Sequence, residues 1–361
     1  MELIAKQVSN ERNTRMKKTR SHGSRPHSRA TTERCFTLDW PDNGAGVGGV
    51  FVREIIGGGD GPTLLVTAGE HGVELSGCAG IDSLCRRLAS AAFCGTVLAI
   101  PCLMPGNIRH RAHTYGQTYG SQERRGEYDT YLAWPGRPDG STGERLCHRV
   151  WNEVVSRADV VVNFHAWQNS ASCLFTDRLV PGAAALAGSF GNVFNILEDD
   201  LKGCLHSRVL ETGRPAALVE THGQCRIEPE AVERVRQGLW NVMVTLGMVD
   251  GPLELPRPMF AAGAEHLIRA PKAGLFVPLK ALEQVTRAGE LLGYMLDVET
   301  GERTDIVSPV DGAIWLIARN GPKADVVLQG MHAYADPGDL VVLIKAITPL
   351  NCSNSNIGFG S

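Results

Sequence analysis

His71 and Glu74 stand three residues apart in the turn Gly69-Glu70-His71-Gly72-Val73-Glu74, directly after the apolar run Thr63-Leu64-Leu65-Val66-Thr67-Ala68. Imidazole and carboxylate are both Zn²⁺ ligand types, and a Gly-flanked turn at a strand end lets them converge on one ion. With a third ligand the pair is a metal site; without one it is a polar turn. His165 follows the apolar run 159–164, and Glu220 follows the run 216–219, with His222 two residues further on. Two imidazoles and one carboxylate leave an open position on Zn²⁺ for water. The metal lowers the pKa of that water from about 15.7 to about 7 and polarises a substrate carbonyl. One carboxylate, Glu220, is then left to take the water's proton and pass it to a leaving amine. An arginine beside the metal can stabilise the oxyanion, and the stretch 101–134 is rich in Arg and Tyr. His222 is a rival ligand or a neighbour of one. His110 and His113 read as substrate-contacting or surface residues.

The elements that must position these groups alternate between strand and helix. Apolar β-type runs at 50–56, 63–68, 96–100, 159–164 and 216–219 are separated by helical periodicity at 77–91, 142–157 and, after the last run, 228–246. Continuously apolar strands alternating with helices predict an α/β fold, a mostly parallel or mixed central sheet with helices on both faces. In such sheets ligands bind at the carboxyl ends of the strands, where His71, Glu74, His165 and Glu220 all fall. Three prolines at 252, 256 and 258 suggest a linker, and short β runs broken by Gly and Pro follow it. The expected organisation is a disordered basic arm at 1–35, an α/β domain at 36–250, a linker at 251–258, a small all-β domain at 259–350 and a tail at 351–361.

The formal charge of −3 over 361 residues argues against a nucleic-acid binder that works by bulk electrostatics. No apolar run is long enough to span a bilayer. Ten cysteines are scattered without a C-x-x-C pair, which suggests buried free thiols and a cytoplasmic setting.

Around these residues the chain resembles the succinylglutamate desuccinylase/aspartoacylase family, of the zinc carboxypeptidase-like clan. The matching pieces are GPTLLVTAGEHGVE (61–74), PGRPDGSTGERL (135–146), VVVNFH (160–165) and ALVETHG (217–223), with GLFVP (274–278), RAGELLG (287–293) and SPVDG (308–312) resembling the family's β-domain. The resemblance implies one Zn²⁺ per chain held by His71, Glu74 and His165, with Glu220 as general base. It also implies an arginine that polarises the scissile carbonyl. Counting from Pro101 favours Arg111, with Arg109 its neighbour; counting back from Pro135 favours Arg124.

Two departures from the family pattern bear on substrate. Family members carry an Asn-Arg pair shortly before the Pro-Gly at 135–136, where it grips a substrate carboxylate; here that stretch reads Thr130-Tyr131-Leu132-Ala133-Trp134. Loss of a bidentate Arg clamp removes much of the preference for a carboxylate. Tyr131 and Trp134 offer stacking surface instead, or pack under the loop. Asn107, Arg109 and Arg124 complete the expected substrate-binding set. Asn163 replaces an acidic residue common just before the third ligand, which weakens support behind that ligand. The expected activity is zinc-dependent hydrolysis of a small N-acylated amine or amino-acid derivative. The alternatives are a metallocarboxypeptidase or esterase on the same site, and a non-catalytic binding protein on this fold. The expected partner is a small molecule, with homo-oligomer contacts as another use for the β-domain.

Overall fold

A computed structural model describes residues 31–39, 49–115, 128–168, 170–191, 194–198, 201–254, 260–318 and 333–349. β1 (Thr32–Leu38) and β2 (Val50–Ile56) pair antiparallel at one edge of the main sheet. β3 (Gly59–Thr67), helix α1 (Ser76–Leu88) and β4 (Cys94–Ile100) form a parallel crossover unit. Short helix α2 (Pro105–Arg109) and helix α3 (Thr142–Glu153) then precede β5 (Val160–Trp167), which lies parallel to β3. β6 (Cys173–Phe175), α4 (Ala183–Phe190), β7 (Phe194–Ile196) and α5 (Leu205–Leu210) follow. β8 (Ala216–His222), parallel to β5, and α6 (Pro229–Thr245) complete this part of the chain.

The alternation of the strands explains the layers. Successive side chains on a strand point to opposite faces. Leu64, Val66, Val160 and Val162 pack against Ile81 and Leu84 of α1 and Val235 and Leu239 of α6. Leu65, Leu98 and Val161 pack on the other face against Leu146 and Val150 of α3 and Leu205 and Val209 of α5. The central sheet is therefore mixed and covered on both faces by helices, as the apolar strands predict.

The remaining strands are β9 (Phe260–Arg269), β10 (Gly274–Pro278), β11 (Val285–Thr286), β12 (Leu291–Leu296), β13 (Arg303–Val307), β14 (Gly312–Ile317), β15 (Tyr334–Ala335) and β16 (Leu340–Pro349). Four of them extend the main sheet, whose order is β1-β2-β4-β3-β5-β8-β6-β7-β9-β16-β14-β11. The join is the parallel pairing of Phe194 with Phe260 and Asn195 with Ala261. The other four form a small sheet, β13-β12-β10-β15. Phe276, Leu292 and Met295 on the small sheet pack against Ile314, Val342 and Ile344 on the extended one.

Several boundaries differ from the sequence expectation. The helix expected at 77–91 ends at Leu88, and the one expected at 142–157 gives way after Glu153 to a 3₁₀ turn at Val155–Arg157. β1 begins inside the segment assigned to the basic arm, because its backbone pairs with β2 from Thr32↔Ile56 to Leu38↔Val50. β5 and β8 run on through the polar residues that were expected beyond their ends. Parallel pairing continues as His165↔Glu220 and Trp167↔His222, since the backbone ladder does not require apolar side chains.

Candidate metal centre

The turn after β3 is held by its backbone. Gly69 takes φ +67°, a conformation glycine reaches without steric cost. Its carbonyl accepts from the Met104 N–H at 2.9 Å, and the Gly72 N–H donates to the His113 carbonyl at 3.0 Å. Cys225, just past β8, donates its N–H to the Val73 carbonyl at 2.7 Å. The loop after β4 and the loop after β8 thus clamp the turn from two sides.

This clamp brings His71 and Glu74 against His165. One donor atom from each of the three lies within 4.8 Å of the others, and all three residues are buried. His165 Nδ1 is 2.8 Å from Glu74 Oε2 and 3.2 Å from His71 Nδ1. His71 Nδ1 is 3.1 Å from Glu74 Oε1. Gln224 reaches Glu74 Oε1 at 3.5 Å while donating to the Ala166 carbonyl at 2.7 Å.

Burial works against a charged Glu74, but the His71 and His165 imidazoles overcome it and hold the carboxyl far below its ordinary range. Burial likewise disfavours a charged His165, and the Glu74 carboxylate outweighs it, so that imidazole is driven upward. Glu220 behaves oppositely. Burial first, and then the Glu74 charge, push it up to about 8, against the weaker pull of His165 and the Trp167 side chain. Its Oε2 is buried without a hydrogen-bond partner among the described residues. Glu70 is a third carboxylate in this core, 2% exposed. Glu70 and Glu74 both favour the charged form in this buried core, and a dication on the imidazole–carboxylate triad would balance them. The residues therefore fit a metal ion, with two imidazoles and one carboxylate as the donor set.

The expected substrate residues separate. Tyr131 lies over the triad, its ring centroid 5.2 Å from those of both His71 and His165; burial drives its phenol above its usual range. Trp134 does not face the site. It is 2% exposed, packs with Leu146, Leu205 and Val209, and donates its indole N–H to Glu70 Oε1 at 3.0 Å. Of the two readings of Trp134, packing under the loop describes its position. Asn107 is also a scaffold residue: it donates to the Glu70 carbonyl at 2.8 Å and accepts from the Tyr115 N–H at 2.9 Å. Both of its polar ends are occupied by backbone. Arg109 and Arg111 are exposed, Arg111 with φ 53°, and neither is drawn into the buried cluster. Arg124 lies outside the described residues. His222 pairs with Glu228 at 3.2 Å and stands apart from the triad.

Two contributors were not placed beside the triad from sequence. His113 stacks on His71 with ring centroids 3.8 Å apart, and its Nε2 is 3.9 Å from Glu74 Oε1. Glu70, though part of the turn, carries no spacing signal of its own. Beside the site, a cavity of about 550 Å³ lies between the α6 end of the α/β layer and the C-terminal strands. Thr221, His222, Arg234, Lys280 and Glu283 help line it, and none of the triad residues does.

Comparison with known proteins agrees with this architecture. The chain is 24% identical over 305 residues to the N-alpha-acetyl-L-2,4-diaminobutyric acid deacetylase of Halomonas elongata, covering 80% of this chain and 83% of that protein. A succinylglutamate desuccinylase/aspartoacylase crystal structure from Rhodobacter sphaeroides superposes with TM-score 0.65 at 22% identity, covering 90% of this chain and 99% of that one. The product-bound ectoine utilization protein EutE (DoeB) from Ruegeria pomeroyi gives 0.64 at 20% identity, covering 90% and 98%. The model of the succinylglutamate desuccinylase/aspartoacylase catalytic domain matches residues 60–246, and with the fold and the His71–Glu74–His165 cluster in place, the chain belongs to that family.

Proposed function

We propose that this protein is a zinc-dependent amide hydrolase that removes the acyl group from a small N-acylated amine or amino-acid derivative. The observation that carries the reading is the buried His71–Glu74–His165 triad with the buried Glu220 carboxyl on the neighbouring strand, its Oε2 without a hydrogen-bond partner among the described residues. When bound there, Zn²⁺ supplies Lewis acidity that polarises the acyl carbonyl, acidifies a water and favours the ionised form of Glu220. Glu220 takes the proton of the attacking water and delivers it to the departing amine nitrogen. The Tyr131 ring covers the imidazoles and limits access of bulk water. In the proposed scheme Arg111 remains the candidate for polarising the carbonyl, with Arg109 and Arg124 as alternates that contact substrate. The deacetylase activity named for the Halomonas relative supports an acyl-amine substrate of modest size. Nine described cysteines are free thiols, which supports a cytoplasmic setting, and no described helix is long and apolar enough to cross a membrane.

The test is a screen of zinc-loaded protein against N-acyl amino acids, their amides and simple acyl amines. The expected result is amide cleavage without a requirement for a free α-carboxylate, because the residues at 130–134 hold no arginine. A strong preference for the free carboxylate would contradict this account of the substrate.

A further inference from the structure

Glu70 is a buried carboxylate that the proposed reaction does not use. It sits one residue before His71, yet its side chain turns away from the triad's centre. Oε1 accepts the Trp134 indole N–H at 3.0 Å, and Oε2 is 3.4 Å from Asn163 Nδ2 and 3.3 Å from His165 Nε2. The two ring nitrogens of His165 therefore face different groups: Nδ1 faces His71 and Glu74, and Nε2 faces Glu70. The contact with Nε2 is an ion-pair approach rather than an aligned hydrogen bond, for Nε2 makes no hydrogen bond of good geometry among the described residues.

We infer that Glu70 is the positioning carboxylate for His165, fixing the proton on Nε2 so that the Nδ1 lone pair is presented to the metal. A metal-ligating histidine ordinarily donates its second ring N–H to a carboxylate or carbonyl, which sets tautomer and orientation and raises ligand basicity. Asn163 lies two residues before His165 on β5, on the same face of the sheet. An amide there cannot serve as the anionic acceptor. It instead donates to the carboxylate that does, so Asn163 and Trp134 together aim Glu70 at the ring. The weakened support expected from Asn163 is thus made good from the turn after β3. This inference rests on the metal reading proposed above.

The test is Zn²⁺ affinity, measured by chelator competition on metal-stripped full-length protein. Glu70→Gln keeps an acceptor for the Trp134 indole but loses the anionic partner of Nε2. It is expected to bind Zn²⁺ about 10- to 100-fold more weakly than wild type. Asn163→Asp in that background returns a carboxylate to the same face and is expected to recover most of the loss. Trp134→Phe removes the indole donor and some buried ring volume but leaves the carboxylate on Nε2, and is expected to weaken binding less than Glu70→Gln. If Glu70→Gln is too unstable to titrate, Glu70→Asp draws the carboxylate back by one methylene and is expected to weaken binding in the same direction. Unchanged affinity in the Glu70 variant titrated, or a Trp134→Phe loss equal to that of Glu70→Gln with no recovery in the double variant, would overturn the inference alone. Wild-type protein that takes up no Zn²⁺ would overturn the metal reading and this inference together.

Discussion

Replacing Glu220 with Gln separates the proton-transfer role from every structural one. The side chain is 6% exposed, and its Oε2 has no hydrogen-bond partner among the described residues, so an isosteric amide costs the fold little. General acid–base catalysis contributes roughly 10²- to 10⁴-fold, or about 2.7–5.4 kcal/mol of barrier at 1.36 kcal/mol per decade. Turnover of zinc-loaded Glu220→Gln should fall by that factor, with zinc content unchanged. The metal-free protein gives a second readout. Burial and the Glu74 charge raise the Glu220 carboxyl from the ordinary 4.5 to about 8, so the folded state favours the protonated form. Its stabilising contribution is full below pH 4.5 and is lost as pH rises toward 8, at about 1.4 kcal/mol per pH unit. Glutamine mimics the protonated form at every pH. Metal-free Glu220→Gln should therefore match wild type in thermal unfolding near pH 4.5 and exceed it at pH 7, by on the order of 3 kcal/mol from this slope. Steady-state kinetics and a pH series of melting curves check both. A kcat within tenfold of wild type would refute the general-base role, and parallel melting curves would refute the buried, raised carboxyl.

Two further outcomes follow from the geometry. His71→Ala removes one of three buried donors, so metal analysis should find well under one Zn²⁺ per chain; full zinc content would remove His71 from the ligand set. Gly72→Ala would place a Cβ 2.2 Å from the Asn107 carbonyl carbon and oxygen and 2.4 Å from the Ala112 carbonyl oxygen. These are backbone atoms that must retreat, so the variant should lose about 1–3 kcal/mol of stability and bind Zn²⁺ more weakly; unchanged melting and affinity would show that the clamp on the turn is loose.

The α/β layer was legible in the sequence because its strands are continuously apolar and its helices periodic, and both patterns are local. Local reading also located the turn at 69–74 and the strand ends carrying His165 and Glu220. What it missed depends on groups far apart in the chain. That β9 joins β7 is set by the register of Phe194 with Phe260, and no periodicity encodes it. The sequence leaves Trp134 between two positions and offers Asn107 as a substrate contact, whereas their places are set by distant partners: Glu70, in the turn after β3, accepts the Trp134 indole, and Asn107 bonds the Glu70 carbonyl and the Tyr115 N–H. His113 stacks on His71 across 42 residues because the Gly72 N–H fixes the loop backbone at that point. Glu70 has no role legible in the sequence because its partners, Trp134, Asn163 and His165, come from two other segments of the chain.

The central claim is that the buried triad makes this chain a metal-dependent amide hydrolase. Its most direct test is amine release from N-acetylated substrates by one preparation assayed as loaded, after metal removal, and after titration with Zn²⁺. The account predicts that turnover disappears on stripping and returns in full at one Zn²⁺ per chain. Undiminished turnover by the stripped protein, or none by the loaded protein across the substrate panel, would contradict it.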